Sequence, residues 1–233
     1  LKDSLSYLTN DLALDVVNPS SDLDIQNYNN NLQKYDGLIW GGSSLNIYND
    51  TDEIRRQISF MRECQLKIKK IFAICWGLQV AVTVAGGQVK KSDKGAHRGI
   101  AHNIKVNNIG SNHKIYLNKK RQFNSPAFNF DEVVKIPEGA ILLSSNELNN
   151  VMGLNFKTNK SDIWGIQYHP EITYEKMVSL IHFRKERLLN KGAFKDQDEI
   201  NNHILMIENE IKNTEKISRM KELENWINYL YEN

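Results

Sequence analysis

Along the 233 residues, short continuous apolar runs alternate with stretches of helical spacing, which predicts an α/β fold with a mainly parallel sheet covered on both faces by helices. Leu1 to Leu8 has helical spacing, Ala13 to Val17 reads as a strand, and Ile25 to Leu32 as a weak helix. Gly37 to Trp40 reads as a strand and Glu53 to Leu66 as an amphipathic helix. Strand Ile71 to Ile74 feeds a helix from Trp76 to Ala85, which Gly86-Gly87 stops. Between Gln88 and Phe156 the pattern predicts short strands: Ile104 to Val106, Lys114 to Leu117, Val133-Val134, Ile141 to Leu143 and Val151 to Phe156. Strand Ile163 to Tyr168 then leads to a helix from Tyr174 to Leu189.

Beyond Asn190 the pattern changes. Ile200, Ile204, Ile207 and Ile211 form one helical stripe, and Met220, Leu223, Ile227 and Leu230 form a second, with Trp226 beside it. The chain therefore divides into a body at 1–190 and a C-terminal helical appendage at 191–233. Helices this short are marginal alone in water, so the stripes are expected to dock on the body or on a second copy. They are expected to serve assembly or pocket shaping rather than chemistry.

Candidate chemistry sits at the ends of three predicted strands. The run Ile71-Phe72-Ala73-Ile74-Cys75-Trp76-Gly77-Leu78-Gln79 delivers a cysteine to a strand–helix turn, the layout of a nucleophile elbow. A helix N-terminus favours the thiolate. The alternative for Cys75 alone is a buried core cysteine. A distal strand ends in Tyr168-His169-Pro170-Glu171, which supplies a base for a thiol and a carboxylate to orient that base. Pro170 fixes its own φ and restricts His169, so the spacing is stiff. A third strand runs into Trp40-Gly41-Gly42, where a free-turning backbone can present N–H groups to an oxyanion; alone, it reads more readily as a plain strand-end turn.

Taken together, and in this order along the chain, the three segments resemble the class I (triad) glutamine amidotransferase domain, over roughly residues 1 to 185. Within it the chain resembles the stand-alone members akin to the GMP synthase glutaminase domain. Asp131-Glu132-Val133 and the run Ile136-Pro137-Glu138-Gly139-Ala140 resemble the family's segment between elbow and histidine. The resemblance implies a flavodoxin-like sheet and assigns Cys75 as nucleophile, His169 as general base and acid, and Glu171 as its orienting carboxylate. It implies an oxyanion hole at the N–H groups of Gly42 and Trp76, and substrate contacts at Gly41, Gln79 and Asn129. It calls for no metal and no cofactor. Glutamine or a γ-glutamyl small molecule is the implied substrate, with a synthetase subunit or a second copy as possible partner.

The chain departs from the family pattern in three places. Ala73 stands where the elbow usually has glycine, Asn129 where a histidine is common, and Lys94 to Ile100 where an acidic or aromatic residue often lies near the substrate. The family also begins with a buried strand ahead of the first helix, so residues upstream of Leu1 are expected; a divergent start using another edge strand is the alternative. A non-catalytic or partner-dependent binding module on the same fold is the competing functional reading.

Composition adds exclusions. A net charge of +2 makes no electrostatic case for nucleic acid or membrane surfaces. Lys90-Lys91 and Lys119-Lys120-Arg121 lack interleaved aromatics and read as solvated loops. No apolar run approaches the roughly 20 residues of a membrane span. Two cysteines, Cys64 and Cys75, provide neither a disulfide framework nor zinc spacing, and a reduced cytoplasmic compartment is expected for a working thiol.

Overall fold

The computed structural model describes residues 1–158 and 160–232. In chain order its elements are α1 (Lys2–Leu8), α2 (Asp22–Asn29), β1 (Leu38–Trp40), α3 (Asp52–Lys67), β2 (Lys70–Ile74), α4 (Trp76–Val84), β3 (Gln88–Lys91), β4 (His97–Arg98) and β5 (Ala101–Val106). There follow β6 (Gln122–Ser125), β7 (Phe128–Asn129), β8 (Asp131–Lys135), β9 (Ile141–Ser145), β10 (Gly153–Lys157) and β11 (Asp162–Ile166). Helices α5 (Tyr174–Phe183), α6 (Lys185–Asn190), α7 (Gln197–Asn213), α8 (Lys216–Arg219) and α9 (Lys221–Leu230) complete it.

Among the described residues seven strands form one sheet in the order β1-β2-β11-β10-β9-β5-β6. Parallel pairing joins β1, β2 and β11; the remaining neighbours pair antiparallel. The candidate residues Cys75, His169 and Gly42 follow the strands of the parallel half, whose ends point the same way so that their loops meet. Strand alternation splits the core. In β2, Ile71 and Ala73 face one layer with Ile54, Met61 and Leu78, while Phe72 and Ile74 face the other with Leu5, Leu223 and Trp226. Helix α3 presents Ile54, Phe60, Met61 and Cys64 to the first layer, and Thr51 caps it by accepting from the Ile54 N–H.

The second layer is closed by the C-terminal segment. Trp226 stacks on Phe72 at 5.9 Å and Tyr229 on Trp164 at 4.5 Å. Lys70 Nζ donates to the Tyr229 carbonyl at 2.8 Å, capping the end of α9. A third cluster of Ile181, Leu188, Phe194, Ile200, Ile204 and Ile207 joins α5, α6 and α7. Both apolar stripes beyond Asn190 are thus buried against the chain's own body.

Several local expectations change. Ala13 to Val17 forms no strand: Val16 is 78% exposed and no neighbour pairs with the segment. Lys114 to Leu117 contains a 3-10 turn at Lys114–Tyr116 instead of a strand, because the His113 side chain accepts from the Ile115 N–H and starts a turn. The single helix expected from Tyr174 to Leu189 breaks at Arg184, giving α5 and α6. The C-terminal stripe breaks likewise at Met220. Strands β3, β4, β6 and β7 are rich in Gln, Asn, Lys and His and carry little apolar signal.

Candidate active site

Strand β2 ends at Ile74 and α4 begins at Trp76, leaving Cys75 at φ 54°, ψ −102°. That positive φ strains a residue with a Cβ, and the surroundings must hold it. The Cys75 N–H donates to the Ile166 carbonyl at 2.7 Å, tying the elbow to β11, and the Gly77 N–H donates to the Gly41 carbonyl at 3.2 Å, tying it to the end of β1. A Cβ on Gly77 would lie 2.2 Å from the Trp40 carbonyl oxygen, so glycine is required there. Gly165 of β11 gives similar room, since its Cβ would meet Leu78 of α4 at 2.4 Å. Close strand–helix approach is therefore supplied by Gly77 and Gly165, which leaves space for the methyl of Ala73 in the core.

His169 and Glu171 come from the loop after β11. His169 Nδ1 and Glu171 Oε1 lie 2.6 Å apart, both side chains buried. Burial opposes a charge on the imidazole, but Glu171 and the sulfur of Cys75 outweigh it and hold the His169 pKa well above the ordinary histidine value. The loop is fastened residue by residue. The His169 N–H donates to the Pro126 carbonyl at 2.7 Å, and Ser4 Oγ donates to the Glu171 carbonyl at 2.8 Å. Arg219, itself buried, donates to the carbonyls of Pro170 and, at 2.9 Å, Ile172. Next to it Glu222, fully buried, accepts from Tyr168 Oη at 2.7 Å and Lys119 Nζ at 2.9 Å.

Gly42 lies against this imidazole: a Cβ there would stand 2.6 Å from His169 Cε1. Trp76 is the first residue of α4, so its N–H has no partner within the helix. Its indole donates to Gln57 at 2.7 Å, which fixes the start of the helix. Gln167 was missed by sequence reasoning. Its Nε2 lies 3.4 Å from Cys75 Sγ, and it meets Gln79 at 3.5 Å. Strand alternation could have found it, because it lies two residues before His169.

Cys75 and Gln79 open onto a cavity of about 290 Å³, with Asn129 and Asp131 also in its wall. Asp131 accepts from Asn46 at 2.8 Å and Tyr48 at 3.0 Å, and the Tyr48 phenol is pushed up to about 12 by burial and by that carboxylate. Asn129 donates to the Asp131 carbonyl and meets His97 Nδ1 at 3.0 Å. His97 Nε2 receives Asn146 at 2.9 Å, so the neutral ring donates from Nδ1. Gly41 contributes its carbonyl to the elbow, and its own side-chain position is open. Among the described residues no group of acidic, cysteine and histidine side chains is arranged to hold a metal, and no helix is long and apolar enough to cross a membrane.

Comparison with known proteins bears on this arrangement. The family profile described as glutamine amidotransferase class-I matches residues 4–186. The chain is 30% identical over 166 residues to a gamma-glutamyl-L-1-hydroxyisopropylamide hydrolase of Pseudomonas sp., covering 70% of this chain and 56% of that protein. It is 30% identical over 164 residues to gamma-glutamyl peptidase 3 of Arabidopsis thaliana, covering 69% of this chain and 63% of that one. A glutamine-hydrolyzing GMP synthase subunit of Sulfolobus acidocaldarius is 27% identical over 143 residues, covering 61% of this chain and 71% of that one. The chain thus spans about three fifths of the length of the first two relatives. A crystal structure of a glutamine amidotransferase from Thermotoga maritima shares the fold, with a TM-score of 0.65, 18% identity and coverage of 87% of this chain and 80% of that one.

Proposed function

The chain belongs to the glutamine amidotransferase class-I family, and on that premise we propose that it hydrolyses a glutamine or γ-glutamyl amide through a thioester on Cys75. The observation that carries the reading is the His169 imidazole in contact with both Glu171 and Cys75, with Gly42 against the ring and Cys75 itself opening onto the cavity. The Cys75 sulfur attacks the γ-carbonyl carbon and its proton resides on His169. The carbonyl oxygen takes up the negative charge and is received by the N–H groups of Gly42 and Trp76, each contributing about 3 kcal/mol to lowering the barrier. The C–N bond then breaks as His169 gives its proton to the departing nitrogen. Water, deprotonated by the now neutral His169, attacks the thioester and releases glutamate and the thiol. Glu171 keeps the ring oriented through Nδ1 and favours its protonated form. Gln79 and Asn129, in the same cavity, fit contacts to the γ-glutamyl half. A reducing, cytoplasmic setting suits a free thiol in this role.

Glutamate release from the purified chain tests the proposal. Steady release from a γ-glutamyl amide, lost in Cys75→Ala, is the expected result. Release only after adding a synthetase subunit would mark an ammonia donor that needs its acceptor. Undiminished release by Cys75→Ala would overturn the mechanism.

A further inference from the structure

The outer wall of the cavity has a charge that the γ-glutamyl half of a substrate does not explain. Arg184, Arg187, Leu188 and Lys191 all line it, at the i, i+3, i+4 and i+7 spacing of one helical face. Leu188 anchors that face in the third apolar cluster. Lys91 of β3 lies in the same wall. Asp131 is the one carboxylate among the lining residues, against four cations. Among the described residues none of those four cations pairs with a carboxylate. Arg184 is half-buried with its guanidinium 5.2 Å over the Phe128 ring, and burial and the neighbouring Arg187 lower its pKa. Two guanidinium groups, Arg184 half-buried and Arg187 exposed, thus line the nucleophile's cavity, and neither is paired with a carboxylate among the described residues.

A γ-glutamyl group carries one ammonium and one carboxylate and is neutral overall, so binding it leaves the surplus in place. Resting on the hydrolase reading above, we infer that the favoured substrate is a γ-glutamyl amide whose departing amine bears a carboxylate, as in a γ-glutamyl amino acid or peptide, and that Arg184 and Arg187 receive that carboxylate. The planar fork of a guanidinium matches a carboxylate in a way a lysine does not. The pair acts on specificity, while bond cleavage stays with Cys75 and His169.

The test compares γ-glutamylglycine with γ-glutamylethylamide, which has no carboxylate on its amine, using the wild type and the Arg184→Gln/Arg187→Gln double variant. Hydrogen bonds to a charged group typically contribute enough to predict a preference of about tenfold or more in kcat/KM for γ-glutamylglycine in the wild type. The double variant is expected to lose most of that preference, through KM, with a much smaller change on the ethylamide. An Arg184→Lys/Arg187→Lys variant should recover part of it. Equal loss on both amides would place the pair on the glutamyl half or in the fold and overturn the inference. Equal rates on both amides in the wild type would also overturn it while leaving the hydrolase reading standing. Hydrolysis of neither amide by a folded wild type that still releases glutamate from glutamine would overturn this inference alone; no release from glutamine or from either amide, with or without a synthetase subunit, would overturn the hydrolase reading itself.

Discussion

The Cys75 elbow and the His169–Glu171 loop face each other across the site, yet they are held in place by different means. The elbow is fixed by the sheet: Cys75 hangs on β11 through Ile166, Gly77 hangs on β1 through Gly41, and the positive φ is absorbed between them. The loop is fixed by distant parts of the chain, with Ser4 from α1 and Arg219 from α8 each donating to its carbonyls. Cys75 thus depends on core packing, while the His169–Glu171 loop depends on Pro126 and on side chains from α1 and α8. Damage to the ends should therefore act on proton transfer before it acts on the fold of the elbow.

Removing the proposed nucleophile gives the largest expected effect. Cys75→Ala should lower amide hydrolysis by about 10⁴-fold or more while leaving the thermal midpoint close to wild type, measured by glutamate release and calorimetry. Unfolding of this variant would mean that the elbow needs its sulfur for structure, and the comparison would fail on that side.

Arg219→Ala strips two loop carbonyls, one buried and one half-buried, of their donor. Misplacing a catalytic group by about 1 Å can cost on the order of 10²-fold, so kcat should fall by about that factor with KM changing less. Arg219→Lys should restore part of the loss. A fall in KM-linked binding with kcat intact would contradict the bracing role. Glu171→Gln should cost less, roughly tenfold to a hundredfold, and shift the acidic-to-basic profile of kcat, because the imidazole loses the carboxylate that raises its pKa.

Two histidines should give stability opposite slopes with pH. Burial lowers the His97 pKa from 6.5 to about 4, despite bonds from Asn129 and Asn146 that favour its charge. The unfolded chain therefore takes up that proton first, and stability should fall as pH drops from 6.5 towards 4, by at most about 3 kcal/mol. The His169 pKa is raised, so its contribution is present below the unfolded value and is lost as pH climbs through the folded one. Thermal melts of wild type and His97→Gln across this range check the first slope: the variant should be flatter on the acid side. Identical slopes would remove His97 from the account.

Much of the site could be read from the sequence because its parts are local motifs. A cysteine between an apolar strand and a small-residue helix, a stiff His-Pro-Glu, and a strand ending in two glycines each show their geometry within ten residues. Gln167 was legible in principle by strand alternation with His169. The cationic wall was not, because the break at Arg184 has no glycine or proline to mark it, and only the docking of Leu188 in the third cluster shows which side of α6 meets the body. Arg219 was hidden for a related reason: it sits in a polar stretch between apolar stripes, and only the docked C-terminal segment brings it to Pro170. Ala13 to Val17 misled in the opposite direction, since β-forming residues make no strand without a neighbour to pair with.

Peptide mapping after incubation with a glutamine-like diazo-ketone tests the central claim most directly. The two thiols provide an internal control, because Cys64 is fully buried and burial pushes its pKa up to about 12. The account predicts one adduct per chain, on Cys75, its rate sharply reduced in His169→Ala. An adduct on Cys64, or labelling of Cys75 at the same rate without His169, would contradict it.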